Sequence, residues 1–236
     1  MSNSFFQFKQ FRIEQDRCAM KVTTDACILG AWSPIPMKGN FLDIGTGTGL
    51  LALMLAQRSG GVIDAIELDE ESFLQAKENI KASPWKDRVH VIHADVKRFS
   101  AGKKYDFIIC NPPFFENQLK SSSPQKNIAR HDTSLKAADL LSAVKKILKN
   151  PEGKFAVLLP FSKSEEFISA AMRHEFFVHQ KLLISDQPER EVIRCVMVFG
   201  SFPSPEIKPE TLFIKDHQGN FTKQFMELLG NFYLHL

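Results

Sequence analysis

The chain is sparing with cysteine, tyrosine, net charge and long apolar runs. It has four cysteines and two tyrosines in 236 residues, and its formal net charge is only +3. Cys18, Cys27, Cys110 and Cys195 form no Cys-x-x-Cys pair and stand at no zinc spacing from a histidine, which argues against a metal framework. Cys27 and Cys110 sit in apolar runs, as buried reduced thiols do. His90 and His93 alternate along one short run without a ligand partner, so no metal is expected. No apolar run approaches the ~20 residues needed to cross a bilayer. Residues 1–9 lack the charged-then-apolar order of a signal peptide. A cytoplasmic protein with no membrane partner is the expectation. The small positive charge permits a nucleic acid partner without arguing for one, because basic residues matter when they cluster. There is no internal repeat that would mark a solenoid.

What is present suffices for a sizeable core. Apolar content of 44% and charged content of 24% are ordinary for a globular protein, and a chain this long needs no disulfides to fold. Phenylalanine is overused, at 21 residues, so most of these rings must be core. A single domain is expected, with an arm and helix over 1–36, an α/β core over 37–203 and a C-terminal addition over 204–236.

Strand-like runs at 40–44, 62–68, 89–93, 105–110 and 154–159 alternate with helical patterns at 50–57, 70–82, 135–149 and about 162–174. On the second helix Phe73, Ala76, Lys77 and Ile80 share a face. On the third, Leu140, Leu141, Val144, Ile147 and Leu148 form an apolar stripe. This alternation implies a parallel sheet with helices on both faces and right-handed crossovers. Runs at 179–185 and 192–200, separated by polar residues 186–191, read as an antiparallel hairpin at the sheet edge. Residues 221–234 read as a final helix. Residues 115–134 form a long polar loop, and loops of that length usually carry function; a substrate role is expected.

Asp43-Ile44-Gly45-Thr46-Gly47-Thr48-Gly49 closes the first core strand and opens the next helix. Its glycines allow a sharp turn and close approach of a ligand to the backbone. A Gly-x-Gly motif alone suits NAD, FAD or S-adenosylmethionine. The Gly-x-Gly-x-Gly spacing lacks the dinucleotide fingerprint. Asp43 could hold a cationic amino group, indirectly or through water. Glu67 ends the second core strand, where a ribose diol would lie. Asp95 follows the third and could accept a hydrogen bond from an adenine amine, with Leu68 and Val96 adjoining these two acids. Gly45, Thr46, Gly47, Gly49, Glu67, Leu68, Asp95 and Val96, together with Asp43, read as an S-adenosylmethionine pocket. Asp69 reads as the cap of the helix that starts at Glu70.

Asn111-Pro112-Pro113-Phe114 follows the apolar run Phe107-Ile108-Ile109-Cys110. The prolines fix φ and remove two donors, and the residue before a proline is held extended. The carbonyls of Asn111 and Pro112 then lack local donors, and the Asn111 side-chain oxygen adds an acceptor. Two acceptors match the two hydrogens of a planar NH₂ group. They would stabilise positive charge developing on nitrogen during in-line methyl transfer. Phe114 offers a stacking face worth roughly 1–3 kcal/mol per base, and a stacked target base would have to be flipped out. Adenine, guanine and a glutamine amide all remain open as acceptors at this point.

The corner and glycine loop resemble those of class I N-methyltransferases with the Asn-Pro-Pro-aromatic motif. Further blocks narrow the resemblance: Phe8-Lys9-Gln10-Phe11, Gln15-Asp16-Arg17-Cys18-Ala19-Met20-Lys21-Val22, Thr24-Asp25, Leu29-Gly30-Ala31-Trp32, Asn111 through Phe115, and Ala129-Arg130-His131. Together they resemble the bacterial valine-tRNA adenine N6-methyltransferase family over nearly the whole chain. The resemblance implies a Rossmann-like α/β fold, with a seven-stranded, mostly parallel sheet whose last strand is antiparallel. It implies S-adenosylmethionine as cofactor, tRNA as partner, a monomer, and the adenine just 3′ of the anticodon as acceptor. Lys21, Thr24 and Asp25 would line the cofactor entrance, and Asn111 would touch both cofactor and amine. Thr23 stands where the family usually has Gly, and Ala26-Cys27 where it usually has Gly-Ile. Arg12, Arg17, Lys21, Lys120, Lys126, Arg130 and His131 would form a basic rim beside Phe115, positioning RNA through phosphates.

Rival readings are a ribosomal-RNA guanine N2-methyltransferase, a protein glutamine N5-methyltransferase and a non-catalytic RNA-binding module. The first often carries a duplicated half for which this chain has no room. The second usually carries a helical N-terminal domain longer than this arm. The intact loop and corner argue against the third.

Overall fold

The structure is a computed structural model and describes residues 3–112 and 135–236. The sheet grows outward from β3 (Asn40–Ile44), whose residues are buried except at the first position. On one side β3 pairs in parallel with β4 (Val62–Glu67), which pairs in parallel with β5 (Val89–His93). On the other side β3 pairs in parallel with β6 (Phe107–Cys110), and β6 with β7 (Lys154–Pro160). β9 (Arg194–Gly200) lies antiparallel between β7 and β8 (Phe177–Ser185). These are the seven expected strands, and the last in chain order is antiparallel. The 186–191 segment does join an antiparallel pair, but that pair is not the edge. β10 (Glu210–Phe213), unforeseen in the C-terminal addition, adds in parallel outside β8 and makes the sheet eight-stranded. Its four residues carry no alternation long enough to separate a short strand from a loop.

Helices cover both faces because successive strand residues point to opposite sides. Phe41, Ile63, Ala65, Phe107 and Ile109 face α1 (Thr24–Trp32) and α2 (Leu50–Arg58). Leu42, Ile44, Ile66, Ile108 and Cys110 face α4 (Ala137–Ile147) and α5 (Ser164–Arg173). Each β6 side chain is at most 1% exposed, which is why that run shows no polar alternation. Below it, the buried Tyr105 hydroxyl donates to Asp64 Oδ2 at 2.6 Å, and Lys103 pairs with the same carboxylate at 2.8 Å. A hydrogen bond to a buried charge contributes about 1.5–3 kcal/mol. Tyr105→Phe is therefore expected to lower stability by about that amount in urea unfolding.

The arm contains two strands that the sequence reading did not assign. β1 (Phe5–Gln7) and β2 (Arg12–Glu14) form an antiparallel hairpin. Phe8, Phe11 and Ile13 enter the same core cluster as α2. The C-terminal helix α6 (Lys223–Leu229) is shorter than expected; Thr222 caps it, accepting from Phe225 N at 3.2 Å.

α3 (Glu70–Lys81) starts where expected, with Asp69 Oδ1 accepting from Ser72 N at 2.9 Å. Its buried face differs from the expected one. Ala76 and Ile80 are buried, but Lys77 is exposed, and Ser72, Gln75 and Asn79 are buried with the apolar pair. Polar residues face inward here because the arm brings them partners, backbone groups for Gln75 and Asn79 and the Cys18 thiol for Ser72. All four cysteines are buried and free. No described helix is long and apolar enough to cross a membrane.

Candidate active site

Ile44 and Cys110 are register partners on adjacent parallel strands. Gly45 and Asn111 are the next residues out, so the glycine loop and the Asn-Pro corner leave the sheet side by side. The chain runs from β3 to β4 and β5 on one side, and places β6 and β7 on the other. This reversal is the crevice where open α/β sheets bind ligands.

The loop is held from behind. Gly45 N and Thr46 N both donate to Ile66 O, at 2.9 and 3.0 Å. Gly45 has φ +69° and Gly47 φ +56°, and a Cβ at either would meet nothing within 4 Å. Glycine is thus required by the turn, and the loop's outer face has open space against its backbone. Asp43 points back under the loop with its side chain fully buried. Its Oδ2 accepts from Thr46 Oγ1 at 2.5 Å and from Ala52 N at 3.1 Å. Its Oδ1 has no hydrogen-bond partner among the described residues. Burial pushes this carboxyl up to about 7; Thr46 and Ala52 pull it down, while the charge of Glu67 raises it.

Glu67 ends β4 and closes the loop's far side. Its Oε2 accepts from Gly47 N at 2.8 Å, and its Oε1 from Leu68 N and Asp69 N at 2.8 and 3.0 Å. Leu68 is 47% exposed. Its carbonyl meets His93 Nε2 at 2.9 Å, and the His93 ring stacks on Phe73 at 5.1 Å. Asp95 Oδ1 accepts from Lys97 N at 2.9 Å. Val96 packs into the core with Ile44 and Ile66. The β3, β4 and β5 ends therefore present Gly45, Thr46, Gly47, Glu67, Leu68 and Asp95 together. A buried carboxyl with one oxygen left over, open glycine backbone and a strand-end carboxylate suit a ligand with a cationic amine and a ribose, as S-adenosylmethionine has.

The N-terminal segment forms the third wall. Thr23 is extended, with φ −121°, and its side chain accepts from Ala26 N at 3.3 Å, capping α1. A threonine thus serves at the position where glycine is usual, because a cap needs an extended backbone and an acceptor. Asp25, in the first turn of α1, sits 3.5 Å from Arg194 Nε at the start of β9. Burial pushes the Asp25 carboxyl up and Arg194 opposes it. Arg194 belongs to no motif and was not foreseen. Only the β7–β9 pairing, with Pro160 opposite Arg194, brings it to this rim. Lys21 Nζ donates to Asn3 O at 3.3 Å.

The expected basic rim is only partly placed. Arg17 pairs with Glu78, and its backbone N–H donates to Gln75 Oε1 at 3.2 Å. Arg12 stays within the hairpin, 2.6 Å from Glu14 Oε1 and 3.7 Å over the Phe5 ring. Pro113, Phe114, Phe115, Lys120, Lys126, Arg130 and His131 lie outside the described residues. Among the described residues no cluster of metal-ligating side chains occurs.

Comparison with known proteins gives the family and the fold. Residues 27–157 match the methyltransferase small domain family. The chain is 43% identical to the tRNA1(Val) (adenine(37)-N6)-methyltransferase of Dyadobacter fermentans, covering 98% of each. It is 42% identical to the protein of the same name from Trichodesmium erythraeum, covering 99% of each. Among solved structures it resembles a predicted O-methyltransferase of Agrobacterium tumefaciens, with TM-score 0.69 and 17% identity over 88% of this chain and 96% of that one. It also resembles a glycopeptide N-methyltransferase solved with S-adenosylmethionine, with TM-score 0.57 and 13% identity over 75% and 93%. The chain belongs to the methyltransferase small domain family and, within the class I S-adenosylmethionine-dependent methyltransferases, to the tRNA1(Val) (adenine(37)-N6)-methyltransferase family.

Proposed function

We propose that this chain methylates the exocyclic N6 amine of adenine 37, just 3′ of the anticodon, in a valine tRNA. The observation that carries the reading is the juxtaposition of Gly45 and Asn111 at the ends of paired strands, in a chain whose full-length relatives bear that name. Bound S-adenosylmethionine supplies an electrophilic methyl group. Glu67 orients the ribose, Asp95 the adenine edge and Leu68 the adenine face, with Val96 behind. Asp43 lends negative potential to the amino-acid end, where Lys21, Thr24 and Asp25 form the entrance. Gly45, Thr46, Gly47 and Gly49 shape the wall.

Asn111 Oδ1 and the Pro112 carbonyl accept the two hydrogens of the acceptor amine. They draw it towards tetrahedral geometry and stabilise charge developing on nitrogen. Pro113 keeps the corner rigid and Phe114 stacks on the base. The acceptor is a neutral amine whose proton leaves after transfer, so no strong base is required. Arg17, Lys21, Lys120, Lys126, Arg130 and His131, with Arg12 at the periphery and Phe115, hold the RNA backbone and neighbouring bases. The chain acts as a cytoplasmic monomer, with the arm, the core and the C-terminal addition as one methyltransferase domain.

The test is chemical. Incubation with methyl-labelled cofactor and unmodified total RNA, followed by digestion to nucleosides, is expected to give labelled N6-methyladenosine in valine tRNA. Label in N2-methylguanosine, or only in protein, would point to the two rival acceptors and overturn the reading.

A further inference from the structure

The polar stripe of α3 and the side chain of Met20 belong to one arrangement that ends at the catalytic corner. Ser72, Gln75 and Asn79 lie at helical spacing and are 7%, 1% and 3% exposed. Each grips the arm. Asn79 Oδ1 accepts from Glu14 N at 2.9 Å, and its Nδ2 donates to Glu14 O at 2.8 Å and Thr48 O at 2.9 Å. Gln75 accepts from Arg17 N, and Ser72 hydrogen-bonds with the Cys18 thiol. Gln15, itself buried, closes the following turn by accepting from Val22 N at 2.8 Å. The segment between these anchors delivers Met20 to Asn111, with Asn111 Nδ2 donating to Met20 Sδ at 3.7 Å.

A thioether sulfur accepts hydrogen bonds and cannot donate. Facing Asn111, it favours the amide orientation with NH₂ towards Met20 and disfavours the flipped one, which would set oxygen against sulfur. The Asn111 oxygen, which forms no hydrogen bond among the described residues, is then turned away from Met20 and left for the acceptor amine. In the flipped orientation the amide would offer the incoming amine a donor, and the developing positive charge would lose an acceptor. Met20 itself is 45% exposed, so its substitution leaves the core untouched.

We propose that Met20 is a positioning residue for methyl transfer, fixing the Asn111 amide with its oxygen towards the acceptor amine, and that the buried α3 stripe exists to hold Met20 there. This rests on the role assigned to Asn111 above.

The test uses the full chain, a valine tRNA transcript and saturating S-adenosylmethionine. Met20→Leu keeps the bulk and removes the acceptor. It is expected to lower kcat by about three- to tenfold, the worth of one modest hydrogen bond. Cofactor affinity by calorimetry and the thermal midpoint should hold, because the side chain is half exposed. Met20→Gln can present an oxygen to the same NH₂ group and is expected to recover most of kcat. A purely structural role would move stability or cofactor affinity and would not distinguish Leu from Gln.

A parental kcat for Met20→Leu overturns the proposal. So does Met20→Gln no faster than Met20→Leu, or a loss that tracks cofactor affinity. Asn111→Ala runs in parallel. If it is inactive while Met20→Leu turns over at the parental rate, Met20 alone is excluded. If it stays active, the role of Asn111 falls and that of Met20 with it.

Discussion

If Asn111 holds the acceptor amine as proposed, Asn111→Ala is expected to lower turnover by about 10²–10³-fold, because it would remove a preorganised acceptor for the charge that develops in the transition state. Cofactor affinity should then stay within about tenfold, since in the proposed role the side chain serves the acceptor amine more than the cofactor. The strand pairing makes this separation possible. Asn111 extends β6, whereas Gly45, Glu67 and Asp95 follow β3, β4 and β5. Steady-state turnover on valine tRNA, set beside calorimetric titration with S-adenosylmethionine, measures both halves. Equal loss of turnover and affinity would mean that the corner mainly supports the fold of the cofactor loop.

The second large effect belongs to Asp43. Its folded carboxyl is raised from an ordinary 3.8 to about 7, chiefly by burial. Below about pH 4 both folded and unfolded chains carry the proton, and the stability of the folded state is complete. Between about pH 4 and pH 7 the unfolded chain releases its proton while the folded chain keeps it, so stability falls as pH rises. Above pH 7 the full penalty is in force, up to roughly 4 kcal/mol for a shift of about three pH units.

Asp43→Asn removes this titration. The asparagine oxygen can still accept from Thr46 and Ala52, but its NH₂ meets the place where Oδ1 finds no partner, which costs about 1–3 kcal/mol at every pH. The variant should therefore be less stable than the parent near pH 4. It should gain on the parent by about 4 kcal/mol between pH 4 and pH 8. Urea midpoints for the two proteins across that range isolate Asp43, because all other groups are shared. Identical slopes would show that the carboxyl does not titrate late. If Asp43 serves the amino-acid end of the cofactor as proposed, affinity should move the opposite way at pH 8, falling about tenfold or more with the loss of a buried charge. A variant that is more stable but binds less tightly would identify Asp43 as a carboxylate kept for the ligand at the expense of the fold.

Most of the α/β core is legible in the sequence because its signals are local. The buried run 107–110, the amphipathic stripe of α4 and the Asp69 cap depend on neighbours a few residues away. The order Asp43, glycine loop, Glu67, Asp95, Asn111 is likewise readable, since each motif marks the end of a strand. The resemblance supplied the acceptor, which the corner by itself left open among adenine, guanine and glutamine.

Long-range pairing decided the rest. Whether Ser72, Gln75 and Asn79 face water or protein depends on an arm some sixty residues earlier in the chain, which supplies backbone groups to Gln75 and Asn79 and the Cys18 thiol to Ser72. Arg194 reaches Asp25 because β9 runs antiparallel beside β7, and that register is set across distant segments. Met20 sits in a segment without secondary structure, and nothing in its neighbours announces that its sulfur meets Asn111. β10 is too short for periodicity to separate it from a loop. The sequence alone therefore determined which chemical groups end the core strands and which cofactor suits them. The tertiary structure determined which remote side chains meet those groups, because hydrogen bonds between distant segments leave no periodic trace in the chain.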